Sequence, residues 1–246
     1  MPTLAELQQR CRELGLEVEG KSKAPFVEAL RTYHLGKDGQ LPYTELDFQL
    51  CFDYGKLDPR QQSVLWVDKN DWCFQQKING VRLAVHFVRD VGIFCHSRTV
   101  SAHSFRRVEL SDRLVFGSYK PDFSATIDCE ALAGDLQTTT CLLHMSPEES
   151  RRLQMEKTPL NFHVFDIVHW KDEDLRHRRL DERLGFLKDV REAITRTRLE
   201  PFFRFPLFRF TGKREFYDQI LREGGEGVVA KNLNSRYIAA RAVIFI

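Results

Sequence analysis

The sequence predicts an α+β protein in which antiparallel sheets are flanked by helices and a small helix-loop-helix domain comes first. Three observations support this fold class. From Asp71 onward, short apolar segments alternate with a period of two residues, which is typical of half-buried strands. Longer segments with helix start signals lie between these strands. Residues 1–36 carry apolar residues at helical spacing and have no strand pattern.

The N-terminal segment, residues 1–36, is predicted to form two helices. Thr3 and Glu6 make a capping box at the start of the first helix, and Gly15 provides its end. Ser22 is a candidate N-cap of the second helix. Because so short a segment buries only a marginal core, a helical hairpin that docks on the larger domain is one interpretation.

Residues 37–70 contain several glycines and prolines and little periodicity, which predicts a linker and entry segment. The main domain then covers residues 71–246. Its predicted strands are 72–78, 81–88, 92–97, 125–132, 161–169 and 226–231, and its predicted helices follow Ser146-Pro147 and cover 178–196 and 213–223.

Composition describes an ordinary globular protein of 246 residues, with 42% hydrophobic and 29% charged residues. The net charge of +2 does not by itself indicate a nucleic-acid partner. Six scattered cysteines without a close pair argue against a zinc site or a disulfide framework and suggest a reducing compartment. With no signal-peptide pattern and no membrane-spanning stretch, we expect a cytoplasmic or nuclear monomer with no membrane partner.

Lys77 lies in the sequence Gln76-Lys77-Ile78-Asn79-Gly80-Val81-Arg82, between two apolar stretches that alternate with period two. The Asn-Gly pair predicts a tight turn that joins two strands as a hairpin, with Lys77 at the end of the first strand. A neutral lysine amine costs roughly 4–5 kcal/mol at pH 7, because its usual pKa is about 10.4. Burial and neighbouring cations lower this cost and make the amine a better nucleophile. A hairpin with a lysine that simply reaches solvent is the alternative.

Further segments carry candidates for a shared site. Arg98 ends a predicted strand, which places a guanidinium at a strand exit. Asp128 and Glu130 are two residues apart on one strand, so their carboxylates share a face. Taken singly, such residues are usually solvated or part of the core. The remaining candidates are Phe165 in an aromatic-rich strand, the arginine-rich run at residues 175–180, and Glu226 and Lys231 in the last strand.

Taken together and in this order, Lys77 and these segments resemble the motifs of the covalent nucleotidyltransferase superfamily, which contains ATP-dependent DNA ligases, RNA ligases and mRNA capping enzymes. The resemblance covers about residues 72–231. It implies an ATP-grasp-like nucleotidyltransferase domain that uses ATP with Mg²⁺ or Mn²⁺. It also implies that Lys77 attacks the α-phosphate of ATP, expels pyrophosphate and holds AMP as a phosphoramidate.

The same resemblance implies roles for five other residues. Arg82 and Arg98 match arginines that contact the sugar and phosphates of the nucleotide or the end of the nucleic acid. Phe165 matches the aromatic residue that stacks on the purine. Glu130 matches the carboxylate that binds ribose or metal, and Glu226 matches an acid that organises the metal.

Two further residues belong to the predicted nucleotide site. Lys231 ends the last motif, although strict alternation along a strand places it on the opposite face from Glu226. Gln75 shares a strand face with Lys77. Its amide can both donate and accept hydrogen bonds at an adenine edge.

The N-terminal segment resembles the SAP module, a helix-loop-helix fold typically used to grip DNA. The resemblance rests on residues 3–7, 14–16, 20–23 and 26–30. It implies that Lys21, Lys23 and Arg31 face phosphates and give salt-sensitive affinity without sequence preference. Because five acidic residues balance five basic ones across residues 1–36, we expect this binding to be weak.

Three features depart from the superfamily pattern. Asn79 stands where DNA ligases carry aspartate, so it offers hydrogen bonds but no negative charge. Cys129 stands where a glycine is usual, with its side chain pointing away from its acidic neighbours. The sequence ends at Ile246, where the resemblance implies a further strand with a Lys-x-Lys pair and an OB-fold domain.

The leading interpretation is an ATP-dependent DNA ligase that seals breaks between a 5′-phosphate and a 3′-hydroxyl, with nicked duplex DNA as its partner. The run at residues 175–180 resembles a DNA-ligase motif and favours ATP over GTP, and the SAP-like segment favours DNA over RNA. One alternative is an RNA ligase of the same superfamily, with RNA as the partner. Another is a catalytically impaired fragment that binds nucleic acid.

Overall fold

The computed structural model describes residues 2–38 and 41–246. Its α-helices are α1 (Leu4–Glu13), α2 (Lys23–Asp38), α3 (Pro59–Leu65), α4 (Leu136–His144), α5 (Pro147–Glu156), α6 (Leu180–Thr195) and α7 (Lys213–Arg222). Its strands are β1 (Leu50–Asp53), β2 (Trp72–Gln76), β3 (Val81–Val88), β4 (Gly92–Val100), β5 (Arg107–Glu109), β6 (Ala125–Leu132), β7 (Asn161–Trp170), β8 (Glu173–Asp174), β9 (Phe203–Arg204), β10 (Val228–Asn232) and β11 (Arg241–Phe245). Short 3₁₀ turns cover Tyr54–Lys56, Ser111–Arg113 and Glu200–Phe202.

The α+β class is therefore confirmed, and each predicted strand and helix of the main domain has a counterpart. Helix α4 was not predicted. Its N-cap is Asp135, whose carboxylate accepts a hydrogen bond from the backbone N–H of Thr138. No helix in the described ranges is both long enough and apolar enough to cross a membrane.

The larger sheet has the strand order β5-β4-β3-β6-β7-β8, and β9 also pairs with β7. One face carries the main hydrophobic core, to which Leu83 and Val85 of β3 and Ile127 of β6 contribute. Leu187 and Val190 of helix α6 pack into the same core. Because side chains alternate along a strand, the residues between these core positions face the other side, where the cleft described below lies.

The smaller sheet has the strand order β1-β11-β10-β2. Its core joins Phe74 of β2 and Val228 of β10 to Leu65 of α3 and Ile220 of α7. Most strand pairs in the two sheets are antiparallel, as predicted, and two pairs are parallel, namely β1 with β11 and β9 with β7. Both parallel pairs join segments far apart in the sequence, which alternation patterns do not detect.

The predicted hairpin around Asn79-Gly80 is wrong. Strand β2 pairs with β10 in the smaller sheet, whereas β3 pairs with β4 and β6 in the larger sheet. The segment from Lys77 to Gly80 therefore crosses from one sheet to the other. The Asn-Gly signal reports a local preference for a turn, and the long-range partners of the two strands override it.

The described residues 41–70 are more ordered than a linker. They contain β1 and α3, and β1 is an integral strand of the smaller sheet. Helix α3 begins with a capping box made by Asp58 and Gln61. Pro59 is the first residue of α3, and Gly55 lies inside the 3₁₀ turn Tyr54–Lys56. A four-residue strand is too short to show a periodic pattern.

The N-terminal helices pack on the main domain. Leu7, Cys11, Phe26 and Leu30 form a small core together with Phe105, which lies in the loop after β4. The Arg10 guanidinium donates a hydrogen bond of 2.9 Å to the carbonyl of Ala102 in the same loop. It also lies 5.5 Å from the centre of the Phe105 ring. The docking expected from the small core is therefore present, and α2 extends past the predicted boundary at residue 36.

Candidate active site

A cleft of about 390 Å³ opens between the two sheets. Both sheets and the crossing segment from Lys77 to Gly80 contribute to its walls. All but one of the predicted site residues line it, namely Gln75, Lys77, Arg82, Arg98, Glu130, Phe165 and Lys231, together with Asn79 and Asp128. The remaining predicted residue, Glu226, reaches the cleft through its contact with Lys77.

Lys77 is fixed at the end of β2. Its backbone N–H donates to the carbonyl of Gly227 at 3.0 Å, which attaches it to the loop before β10. Its ammonium group forms an ion pair with the Glu226 carboxylate and lies 5.1 Å from the centre of the Phe245 ring. The charged group in contact with the Lys77 ammonium is thus a carboxylate, which favours the protonated form. An ammonium has no lone pair, so Lys77 must lose a proton and move away from the carboxylate before the amine can attack.

Gly80 is needed where the crossing segment meets β6. A Cβ atom at this position would lie 2.2 Å from the carbonyl oxygen of Ala131 and 3.1 Å from the Cγ of Glu130. The first of these contacts is with backbone and cannot be relieved by a side-chain movement. The absence of a side chain at Gly80 therefore lets the Lys77 segment pass directly beside the Glu130 carboxylate.

Arg82 is held on three sides. Its Nε and Nη2 donate to the two carboxylate oxygens of Asp128 at 3.0 and 2.6 Å. Its guanidinium lies 5.3 Å from the centre of the Phe48 ring and 5.0 Å from that of Phe165. Burial opposes the charge of Arg82, but the pairing with Asp128 outweighs it and raises the pKa of this guanidinium. The cation is therefore permanent, and its orientation is set by Asp128.

Glu130 is a partly buried carboxylate that is hard to ionise. Burial raises its pKa to about 7, Arg82 and Lys77 act against this rise, and Asp128 adds to it. Glu130 and Arg82 occupy paired positions on the adjacent strands β6 and β3. A carboxylate that changes charge near neutral pH next to an expected nucleophile is typical of a functional site.

Lys231 lies on the cleft side of β10, whereas alternation counted from Glu226 places it on the other face. Strand β10 begins only at Val228, and Gly227 before it has a φ of +133° that breaks the extended pattern. Counting alternate residues from Glu226 therefore gives the wrong face, and Lys231 lines the cleft. Its Nζ donates to the carbonyl of Phe165 at 2.9 Å and lies 4.8 Å from the centre of that ring. Burial lowers the pKa of Lys231.

Gln75 is buried in the cleft wall, on the strand that leads to Lys77. Its amide nitrogen Nε2 has no hydrogen-bond partner among the described residues. A buried amide donor without an acceptor is costly, so a ligand that supplies an acceptor here gains affinity.

Arg98, in contrast to the buried Gln75, is exposed to solvent. It lies at the rim of the cleft, near the end of β4.

Sequence reasoning missed a buried ion pair beside the cleft. Arg183 donates from Nε and Nη2 to the carboxylate of Asp166 at 2.8 and 2.9 Å, and both side chains are almost fully buried. The arginine-rich run predicted from the sequence contains Arg178, which is partly exposed and paired with Glu173, and Arg179, which is exposed and paired with Asp181. The missed signal was the helical position of Arg183, which aligns with the buried residues Leu187, Val190 and Ile194 of α6.

Comparison with solved structures supports the fold. Mycobacterial DNA ligase D, solved with ATP and MES, is 18% identical with a TM-score of 0.55, over 82% of this chain and 61% of that chain. A structure from work on Lig E DNA ligases, described as binding DNA with a minimal scaffold, is 19% identical with a TM-score of 0.54, over 82% of this chain and 69% of that chain. The two sheets of this chain therefore have the fold seen in these DNA ligase structures.

Sequence comparison identifies the family. The model of the ATP dependent DNA ligase domain matches residues 58–243, and the chain belongs to this family. The DNA ligase of Nanoarchaeum equitans (strain Kin4-M) is 31% identical over 124 residues, which are 47% of this chain and 21% of that ligase. The chain thus spans about a fifth of the length of this relative.

Proposed function

We propose that this chain carries out nucleotidyl transfer as an ATP-dependent DNA ligase. The Lys77 amine attacks the α-phosphorus of ATP, the bond to the β-phosphate oxygen breaks, and pyrophosphate leaves. The AMP is then passed from Lys77 to the 5′-phosphate at a nick, and the 3′-hydroxyl displaces AMP to close the strand. The observation that carries this proposal is the position of Lys77 in contact with Glu226, in the cleft that Glu130 and Phe165 also line.

The cleft contains groups suited to each part of the nucleotide. Phe165 offers an aromatic face for the purine, and the unpaired amide of Gln75 offers a donor for a ring nitrogen. Glu130 is suited to the ribose hydroxyls once it is ionised. Arg82 and Lys231 bring positive charge to the phosphates from the cleft walls.

A divalent cation fits the donor set. No group of three or more metal-ligating side chains is preassembled in the described part of the chain. Mg²⁺ usually takes only one or two protein carboxylates and completes its shell with water and substrate phosphates, so Glu130 and Glu226 suffice to hold it, and Mn²⁺ is suited to the same oxygens. When bound with ATP, the ion neutralises charge on the transferring phosphoryl group and on pyrophosphate.

The proton on Lys77 must be removed before attack. In the structure, the Glu226 carboxylate is the group that holds this ammonium. Transfer of one proton from the ammonium to the contacting Glu226 carboxylate gives the Lys77 nitrogen its lone pair, and loss of that proton from Glu226 to water leaves the carboxylate available to the bound nucleotide. Lys231 is a second amine in the cleft, but its hydrogen bond to the carbonyl of Phe165 directs its nitrogen toward backbone. This difference favours Lys77 as the nucleophile.

DNA binding is proposed to involve the N-terminal helices as a SAP-like unit. Lys21 and Lys23 are exposed at the start of α2 and are available to phosphates. Arg31, which was expected to join them, is instead paired with Glu45 of the main domain. The N-terminal contribution to DNA affinity is therefore expected to come from two cations and to be correspondingly small.

The test is to incubate the chain with ATP labelled at the α-phosphate and with Mg²⁺, and then to separate it on a denaturing gel. We expect a label that stays on the protein in the wild type and in Lys188→Ala, a control at an exposed lysine of α6, and no label in Lys77→Ala. Addition of nicked duplex DNA is expected to move the label to the DNA. Transfer to nicked RNA alone supports an RNA ligase, and an unlabelled but folded chain that binds nicked DNA supports a non-catalytic binding role.

A further inference from the structure

We infer that Tyr237, which lies outside the cleft wall, is a positioning residue for the transfer reaction, because its hydroxyl fixes the carboxylate of Asp128 that aims Arg82. This inference rests on the proposed function above. Tyr237 is in the loop between β10 and β11, is 5% exposed, and is not among the residues that line the cleft. A direct contact with the nucleotide therefore does not account for it.

The first link is a hydrogen bond between Tyr237 and Asp128. The tyrosine O–H donates to Oδ2 of Asp128 at 2.6 Å, across 109 residues of sequence. The same hydroxyl oxygen accepts a hydrogen bond of 3.3 Å from the backbone N–H of Gln49. The Tyr237 hydroxyl thus connects β6 to the segment that precedes β1, and Gln49 itself lines the cleft.

The second link is the carboxylate of Asp128, whose side chain is completely buried. Its Oδ1 accepts from Nε of Arg82, and its Oδ2 accepts from Nη2 of Arg82 and from Tyr237. A buried carboxylate needs several donors, and three donors in fixed directions define the plane of this group. Without the tyrosine hydroxyl, Arg82 would be the only donor left to it among the described residues.

The third link is the direction of the Arg82 guanidinium. Two of its nitrogens are used by Asp128, and its faces pack against the rings of Phe48 and Phe165. Its Nη1 has no hydrogen-bond partner among the described residues and is the nitrogen left for a nucleotide oxygen. Because a guanidinium is planar and rigid, a rotation of the Asp128 carboxylate turns Nη1 away from its target.

Tyr237 is held in place by two contacts besides those of its hydroxyl. Its backbone N–H donates to the carbonyl of Arg176 at 3.0 Å. The guanidinium of Arg183 lies 5.8 Å from the centre of its ring. Removal of the hydroxyl alone leaves both contacts in place, so Tyr237→Phe should keep the fold while it releases Asp128.

The test compares Tyr237→Phe with the wild type and with Tyr54→Phe. Tyr54 is a matched control because its hydroxyl accepts a hydrogen bond of 3.0 Å from Nε1 of Trp66, outside the cleft. We expect the rate of lysyl-AMP formation at saturating ATP to fall about tenfold in Tyr237→Phe, with less than a threefold change in the KM for ATP, because the loss of a charge-assisted hydrogen bond misdirects a transition-state contact. Tyr54→Phe is expected to match the wild type. A wild-type rate in Tyr237→Phe would overturn the inference.

A double-mutant comparison separates positioning from general destabilisation. In an Arg82→Lys background, Tyr237→Phe is expected to lower the rate by less than twofold, because lysine cannot use the direction that Asp128 sets. A full tenfold loss in that background would overturn the inference. If Tyr237→Phe does not fold, Asp128→Asn takes its place in the same comparison, with the same expected pattern.

A readout that needs no activity distinguishes failure of this inference from failure of the proposed function. The Nε–H nuclear magnetic resonance signal of Arg82 is assigned by its loss in Arg82→Lys. It is expected to be sharp and slow to exchange with solvent in the wild type, and to broaden or exchange at least about fivefold faster in Tyr237→Phe, because its carboxylate partner is less fixed. An unchanged signal would contradict the positioning role whether or not the chain forms lysyl-AMP.

Discussion

The Lys77 ammonium and the Glu226 carboxylate form an ion pair although 149 residues separate them in the sequence. The pair exists because the backbone N–H of Lys77 bonds to the carbonyl of Gly227, which draws the end of β2 against the loop before β10. Gly227 has a φ of +133°, and a Cβ there would lie 2.1 Å from the carbonyl oxygen of Ile246. The main-chain geometry of this loop thus sets the distance between the proposed nucleophile and its acidic partner.

Replacement of Glu226 by alanine should leave stability almost unchanged but strongly reduce activity. The two side chains are 29% and 36% exposed, and ion pairs at such positions contribute about 0–1 kcal/mol, so the free energy of unfolding should change by less than about 1 kcal/mol. Lysyl-AMP formation should fall by at least about tenfold, because Glu226 is the proposed acceptor of the Lys77 proton and a proposed metal ligand. Urea unfolding and the labelling rate measure the two effects. Glu223→Ala, at an exposed acid after α7, is the control and should leave both unchanged.

The carboxyl group of Glu130 should make the folded state less stable at high pH. Its pKa rises from 4.5 to about 7 on folding, so the folded protein favours the protonated form. The contribution to stability is fully present below pH 4.5 and is lost as the pH rises through 7. Glu130→Gln removes this dependence and should be more stable than the wild type by roughly 1–3 kcal/mol at pH 8, but by less than about 1 kcal/mol at pH 5. Urea unfolding at the two pH values tests this, and a variant less stable than the wild type at pH 8 would contradict it.

The buried pair of Arg183 and Asp166 should be essential to folding. Burial works against ionisation of Asp166, but Arg183 outweighs it and holds the pKa of this carboxyl below its ordinary value. Arg183→Met leaves a buried carboxylate without its partner and should cost about 3–5 kcal/mol. Arg178→Met changes the same residue type where the side chain is 40% exposed, and should cost less than about 1 kcal/mol. Thermal unfolding distinguishes the two, and similar losses in both variants would show that burial of the pair is not decisive.

Two glycine substitutions should have opposite effects. Gly80→Ala puts a Cβ atom 2.2 Å from the backbone oxygen of Ala131, so the crossing segment must move and both stability and lysyl-AMP formation should fall. Gly185→Ala lies in α6, where nothing is within 4 Å of the added atom, and should stabilise the protein by about 0.5–1 kcal/mol. Unfolding in urea measures both changes. A Gly80→Ala variant as stable as the wild type would mean that the crossing segment is not constrained as described.

Much of the fold and site follows from the sequence because local periodicity is strong where strands face a buried core. Alternation defined β3 and β6 correctly, and the spacing of Asp128 and Glu130 placed both carboxylates in the cleft. The pattern could not give the partners of each strand, and so the segment from Lys77 to Gly80 was predicted as a hairpin turn and not as a crossing between sheets.

The remaining errors come from long-range contacts and from backbone irregularities. Lys231 lines the cleft as predicted, and strict alternation from Glu226 argued against this only because Gly227 interrupts the extended backbone before β10. Tyr237 carries no periodic signal, since it lies in a loop and meets Asp128 only through the tertiary fold. Arg183 was passed over because an arginine on an amphipathic helix usually faces solvent, and only the buried Asp166 makes its burial favourable.

Mass spectrometry of the adenylated chain tests the central claim most directly. The protein is incubated with ATP and Mg²⁺, digested, and searched for a peptide that carries one AMP. The account predicts AMP on the peptide that contains Lys77, released by mild acid as expected for a phosphoramidate, and absent in Lys77→Arg. AMP on the peptide that contains Lys231, or none on a folded chain that binds ATP, would contradict it.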